Sequence, residues 1–251
     1  MSAALRLRNS FCGAGDRVSR KINILLSGLK IITEYNYDHI AHFCKDYISQ
    51  FDIPDIIAKA DESAILKEKE LVPSAPLEAC ESLCIYRSIG EQLPHFDRFV
   101  FHGAAIEYDG KAYLFTAPSG TGKTTHINLW KQYLGDKVDI INGDKPIIMA
   151  GNVSIVYGTP WAGKENWQRN VSAPLKAICI LKQGKTNNII RLEKSEAVKH
   201  LMRQVYLPHN PISLSKTLAL LGTMIERTPV YMLECDMTEQ AFNASYNAMT
   251  K

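Results

Sequence analysis

Ala117-Pro118-Ser119-Gly120-Thr121-Gly122-Lys123-Thr124, followed by Thr125, is the stretch on which the fold turns. Small residues let successive backbone amides close on an anion, a lysine reaches out as a point charge, and a hydroxyl stands one position later. The flanks agree with a phosphate loop. Lys111 to Thr116 reads as a strand running into it, and Lys123 to Leu134 has helical periodicity with Gly135 as its stop. The positive end of such a helix adds to the attraction for phosphate. The stretch 117–125 is therefore expected to hold the polyphosphate of a nucleoside triphosphate, with Lys123 on the β- and γ-phosphates and Thr124 on Mg²⁺.

Before the loop, Phe99 to Glu107 reads as a strand that returns through Asp109-Gly110, a dipeptide suited to positive φ at both turn positions. This hairpin can bring His102 near the loop. After it, Val138 to Ile141 is an apolar strand ending at Asn142-Gly143-Asp144. A carboxylate there, 20 positions beyond Thr124, suits a metal ligand or an acceptor for a hydroxyl proton. Lys145 beside it could lower its pKa and touch phosphate. Residues 158–174 read as a long irregular segment rich in Gly, Pro and Trp, and long loops of this kind often carry function. Lys164 and Arg169 in it are candidates to offset phosphoryl charge, and Glu165 to bind metal.

Elsewhere, Ile22–Leu26 and Leu29–Tyr35 read as strands around Ser27-Gly28, 36–48 as a short helix and 76–93 as a helix interrupted by Pro94. Residues 50–75 are mixed, with Lys67-Glu-Lys-Glu70 expected on a solvated face. A hairpin is expected about Gly151-Asn152, strands at 175–182, 188–193 and 230–235, and helices at 195–206 and 212–227. A final helix is expected to be capped by the box Asp236-Met-Thr-Glu239. So many hairpins argue for a mixed sheet with helices packed on it, an α/β class. The expected layout is a disordered tail at 1–20, a small α+β segment at 21–95 and a phosphate-loop domain at 96–251.

Apolar residues at 46% allow a sizeable core, and a net charge of +3 is too small to point to nucleic acid. No apolar run is long enough to span a membrane. The six cysteines form no CxxC pair or zinc spacing, so a reducing cytoplasm is the expected setting. Cys80 and Cys84 are expected in a helix core. His39, His42 and Cys44 would spread around a helix and not converge on a metal.

The order His102-Gly103, hairpin, Ala-Pro-Ser-Gly-Thr-Gly-Lys-Thr-Thr125, helix, Ile-Ile-Asn-Gly-Asp144 resembles the HPr kinase/phosphorylase family, including its small-substrate serine kinases, over about residues 98–182. The same core is similar to that of ATP-dependent phosphoenolpyruvate carboxykinase. The resemblance implies a hydroxyl-directed kinase that uses ATP and Mg²⁺. Lys123 would bind the phosphates, Thr124 the metal with Asp144, and Asp144 would act as base with His102 beside the transfer site. It implies an acceptor such as a serine of a peptide, protein or small molecule, and leaves homo-oligomerisation open. Two features depart from it. Lys145 stands where the family has a second acid, and the carboxykinase's oxaloacetate-binding arginine and manganese ligands have no counterpart. The rival expectations are a non-catalytic nucleotide-binding module and a carboxykinase-like enzyme.

Overall fold

The structure, a computed structural model, describes residues 20–118 and 120–251. The expected tail at 1–20 and Ser119 of the phosphate loop lie outside the described residues, except that Arg20 already belongs to the first strand.

β1 (Arg20–Leu26) and β2 (Leu29–Tyr35) form an antiparallel hairpin, and β3 (Ile56–Lys59) adds to β2 in parallel. Their turn is Ser27-Gly28, both at positive φ. α1 (His39–Phe43) lies between β2 and β3, and α2 (Glu62–Leu71) and α3 (Leu77–Gln92) follow β3. β3 and α2 fall in the stretch that reads as mixed in sequence. The charged run on α2 is not uniformly solvated: Glu68 is buried, its carboxylate 2.5 Å from Arg87 of α3. The apolar faces of this sheet and α3 share one core with Val100, Ile147 and Trp161 further along the chain.

The second sheet has nine strands and is mixed. The expected strand 99–107 is divided into β4 (Arg98–Val100) and β5 (Ala104–Tyr108), which pair with different partners. The break is at His102-Gly103. A Cβ on Gly103 would lie 2.9 Å from the Phe115 carbonyl, so only glycine lets the chain change direction this close to its neighbour. β5 returns through Asp109-Gly110 (φ 52° and 67°) into β6 (Lys111–Thr116). α4 (Lys123–Leu134) buries His126, Ile127, Leu129 and Trp130 on one side and stops at Gly135, φ 60°. β7 (Val138–Asn142) pairs antiparallel to β5. β8 (Ile147–Met149) and β9 (Ile155–Tyr157) make the expected hairpin.

β10 (Ser172–Gln183) is the long central strand. Its first residues pair antiparallel with β9, and the rest runs parallel to β6. β11 (Asn188–Arg191) is followed by α5 (Lys194–Leu201), a short 3₁₀ turn at Met202–Gln204, and α6 (Pro211–Arg227). Asn210 caps α6, its side chain accepting from the amides of Ile212 and Ser213 at 2.9 and 3.1 Å. β12 (Val230–Cys235) lies parallel to β10 and antiparallel to β11, and α7 (Glu239–Met249) closes the chain. The capping box is not formed: Thr238 is the N-cap of α7. Asp236 instead accepts from the Thr238 amide at 2.9 Å, bending the chain before the helix.

Two apolar layers cover this sheet. On one side α5 and α6 pack over Phe99, Phe101, Leu114 and Ile178. On the other, α4 and α7 pack over Phe115, Ala177 and Cys179. No helix among the described residues is long and apolar enough to cross a membrane.

Candidate active site

β6 and β7 are both antiparallel to β5, so they run in the same direction. The C-terminal ends of β6 and β7 and the N-terminal end of β5 therefore lie at one edge of the sheet. β6 delivers 117–125 to that edge, β7 delivers Asp144, and the residues before β5 are His102-Gly103. Ligands of open sheets commonly bind where strand C-termini meet loops at such an edge.

The loop has the geometry its residues demand. Gly120 and Gly122 sit at φ 77° and 105°, a region other residues enter only with strain. Ala117 is buried, Pro118 accepts the Thr121 amide at 3.2 Å, and Thr125 lies in the first turn of α4. Gly122 is the N-cap of α4 and brings no side chain to its first amides, the groups that suit an anion at a helix start. Lys123 donates to the Ala117 carbonyl at 2.9 Å. Burial lowers its pKa, Lys145 lowers it further, and Asp144 opposes both.

Asp144 is positioned by Asn142, a fully buried residue. The Asn142 Oδ1 accepts from the amides of Asp144 and Lys145 at 2.9 and 2.7 Å, and its amide group donates to the Thr159 carbonyl at 2.9 Å. The Thr159 hydroxyl and the Tyr86 hydroxyl both donate to the Lys145 carbonyl, at 2.8 and 2.7 Å. This turn is thus fixed from three directions. One carboxylate oxygen of Asp144 lies 3.3 Å from His102 Nε2, and the other is paired with the Lys145 ammonium. His102 Nδ1 meets Gln204 Oε1 at 3.0 Å, and the His102 amide donates to the Gln204 carbonyl at 2.6 Å. Burial pushes the Asp144 carboxyl up, but the hydrogen bonds and charge of His102 and Lys145 outweigh it and hold the pKa down at about 2.

The 158–174 segment folds over this turn. Trp161 is buried, its ring stacked on Tyr86 at 4.0 Å and its N–H donated to Ser82 at 3.1 Å. Gly163 has φ 81°, and a Cβ there would lie 3.0 Å from the Asp144 Cβ. Thr124 donates its hydroxyl to Glu165 at 3.3 Å. Lys164 is exposed on the same loop. Arg169 is not brought to Asp144: it pairs with Asp139 at 2.6 Å, on an exposed part of β7.

The donor chemistry suits Mg²⁺ at Thr124. A hydroxyl and a carboxylate oxygen 3.3 Å apart are near the spacing of adjacent oxygens around a small octahedral cation with bonds of about 2.1 Å. Asp144 fits less well as a direct ligand, because both its oxygens already face cationic or N–H groups. Among the described residues no cluster of three or more His, Cys, Asp or Glu is arranged for metal. Magnesium sites commonly take few protein ligands, and phosphates and water supply the rest.

Two hollows adjoin this edge. One, of ≈ 310 Å³, is lined by His102, Lys145 and residues of α3 and the 203–206 segment. The other, of ≈ 320 Å³, is lined by Thr121, Gly122, Thr125 and His126 with Leu181, Met237 and others. Gln204 and Tyr86 carry no local sequence signal, because each reaches the site from a distant element. Asn142 had one: an Asn two positions before Asp is a recurring way to bend the backbone through a side-chain oxygen.

The fold and site define a mixed α/β protein with a glycine-rich strand-to-helix turn facing a carboxylate clamped by histidine and lysine. Residues 83–244 match the model of a family described as SynChlorMet cassette protein ScmC, and the chain belongs to that family. No curated protein matches. Among solved structures, the Hpr(Ser) kinase/phosphatase from Coxiella burnetii is distantly similar. Its TM-score is 0.33 at 9% identity, over 59% of this chain and 95% of that one.

Proposed function

We propose that the protein is an ATP- and Mg²⁺-dependent phosphotransferase that moves the γ-phosphoryl group to a hydroxyl. The observation that carries this reading is the convergence, at one sheet edge, of the uncapped α4 N-terminus with Lys123 and the Asp144–His102–Lys145 cluster. In it the α4 amides and Lys123 hold the β- and γ-phosphates. Thr124 and Glu165 hold Mg²⁺, which when bound offsets phosphate charge. Asp144 orients the acceptor hydroxyl and takes its proton, and His102, steadied by Gln204, keeps that carboxylate in place. The hollow beside Thr125 and Met237 suits the nucleoside, and the one beside His102 suits the acceptor.

A carboxylate held near pKa 2 is a weak base at neutral pH. Two effects reconcile this with its role. Phosphoryl transfer passes through a loose transition state that needs positioning more than early deprotonation. Lys145 also stands between Asp144 and the phosphate loop in charge terms, since it perturbs both Asp144 and Lys123. Bound polyphosphate would draw the Lys145 ammonium away and raise the basicity of Asp144.

This gives a pH prediction. The Asp144 pKa is depressed from 3.8, so its ion pairs stabilise the fold above that value, and the contribution fades as pH falls towards about 2. Lys145→Met removes one depressing charge and leaves burial in place. The acid limb of the rate profile should then move upward by roughly one pH unit or more. A profile that does not move, or moves down, contradicts the assigned pair.

The reading itself is tested by incubating the protein with γ-labelled ATP, Mg²⁺ and hydroxyl acceptors, then locating the label. Label on an acceptor hydroxyl supports it. MgATP binding without transfer to any hydroxyl favours a nucleotide-binding module instead, a reading that the doubly engaged Asp144 carboxylate also suits.

A further inference from the structure

The hollow beside His102 has an unusual charge balance. Its lining includes four basic side chains, Arg87, His102, Lys145 and Arg203, and no carboxylate. Two carboxylates just outside the lining answer three of them. Lys145 and His102 are answered by Asp144, and Arg87 by Glu68 of α2. Arg203 is exposed in the turn after α5 and forms no ion pair with a described residue. A guanidinium at the wall of a half-enclosed space, with no carboxylate among the described residues to answer it, favours an anion that enters. Leu83, Val100 and the tyrosine rings supply the apolar remainder. At ≈ 310 Å³ the volume is at the small-molecule end of binding sites.

We propose that this cleft seats the acceptor and that the acceptor is a small hydroxylated carboxylate. Its carboxylate is taken by Arg203, and its hydroxyl is presented to Asp144 and His102. This rests on the phosphotransferase reading and adds the class of substrate. In the step, the acceptor oxygen bonds to the γ-phosphorus and the bond from that phosphorus to the β,γ-bridging oxygen breaks. ADP leaves with the electron pair, and the hydroxyl proton passes to Asp144. The guanidinium fork suits a carboxylate because two N–H donors match its two oxygens. The α3 wall makes the N-terminal segment part of the acceptor site.

The test uses the full chain and two pairs of probes that differ by a carboxylate: L-serine against ethanolamine, and D-glycerate against ethylene glycol. A serine peptide blocked at both ends is the fifth probe. Binding of each in the presence of a non-hydrolysable MgATP analogue is titrated for wild type, Arg203→Gln and Arg203→Lys, and binding of the analogue alone is measured for each variant. At least one carboxylate probe should bind better than its partner. Arg203→Gln should shrink that preference about ten- to a hundredfold, and Arg203→Lys should restore part of it. Equal binding within both pairs, a preference that survives Arg203→Gln, or binding of the blocked peptide alone overturns the inference. If the analogue binds and no carboxylate probe does, this inference fails by itself. If the analogue does not bind to wild type, the phosphotransferase reading fails and takes this one with it.

Discussion

Asp144→Asn is expected to slow phosphoryl transfer by about a hundred- to ten-thousandfold while MgATP binds as well as before or more tightly. The substitution keeps the shape of the side chain and removes its charge and its ability to take a proton. The turn that carries it should persist, because Asn142 holds that turn through the backbone amides of residues 144 and 145. Lys145 would lose its carboxylate partner and be freer to meet phosphate, which is why nucleotide affinity should not fall. Single-turnover transfer of labelled phosphate, with a parallel nucleotide titration, separates the two effects. Transfer at the wild-type rate would remove Asp144 from the chemistry.

Trp161→Ala is expected to cost about 3–5 kcal/mol of stability. The indole is buried between two parts of the chain. It stacks on Tyr86 at 4.0 Å and meets Phe43 edge-on at 5.7 Å, so both contacts are to the N-terminal segment, while its backbone belongs to the loop over Asp144. Its N–H is satisfied by the Ser82 carbonyl and hydroxyl, and alanine would leave a cavity and remove that bond. The urea midpoint should fall with little change in slope. Because Tyr86 also fixes the Lys145 carbonyl, transfer activity should fall in the surviving folded protein. A loss of less than about 1 kcal/mol would mean that the N-terminal segment and the loop are not coupled through this residue.

Much of the framework was legible because its signals are local. Asp109-Gly110, Gly135 and the apolar run before Ala117 each fix a turn, a stop or a strand through φ preference or pattern. The hairpin return was expected to bring His102 near the phosphate loop, and the Thr116 hydroxyl just before that loop donates to the His102 carbonyl at 2.8 Å. The contact of His102 with Asp144 depends on β7 pairing with β5. Features set by distant contacts were not legible. The division of 98–108 into two strands depends on a close approach between Gly103 and Phe115. The short β3 is fixed by its pairing with β2. Glu68 looks like one more surface charge in sequence and is buried only because Arg87, 19 positions on, comes beside it. Arg169 looks like a phosphate ligand from its loop, and its pairing with Asp139 is a consequence of register alone. The Asp236 box failed for a local reason: Asp236 reached the Thr238 amide, and Thr238 took the cap position.

The central claim is that the turn at 117–125 binds a nucleoside triphosphate at the start of α4. Titration of the protein with MgATP, wild type beside Lys123→Ala, tests it most directly. Saturable one-to-one binding that weakens about a hundredfold or more in the variant is the expected result. No saturable binding by the wild type, or equal binding by both proteins, would contradict it.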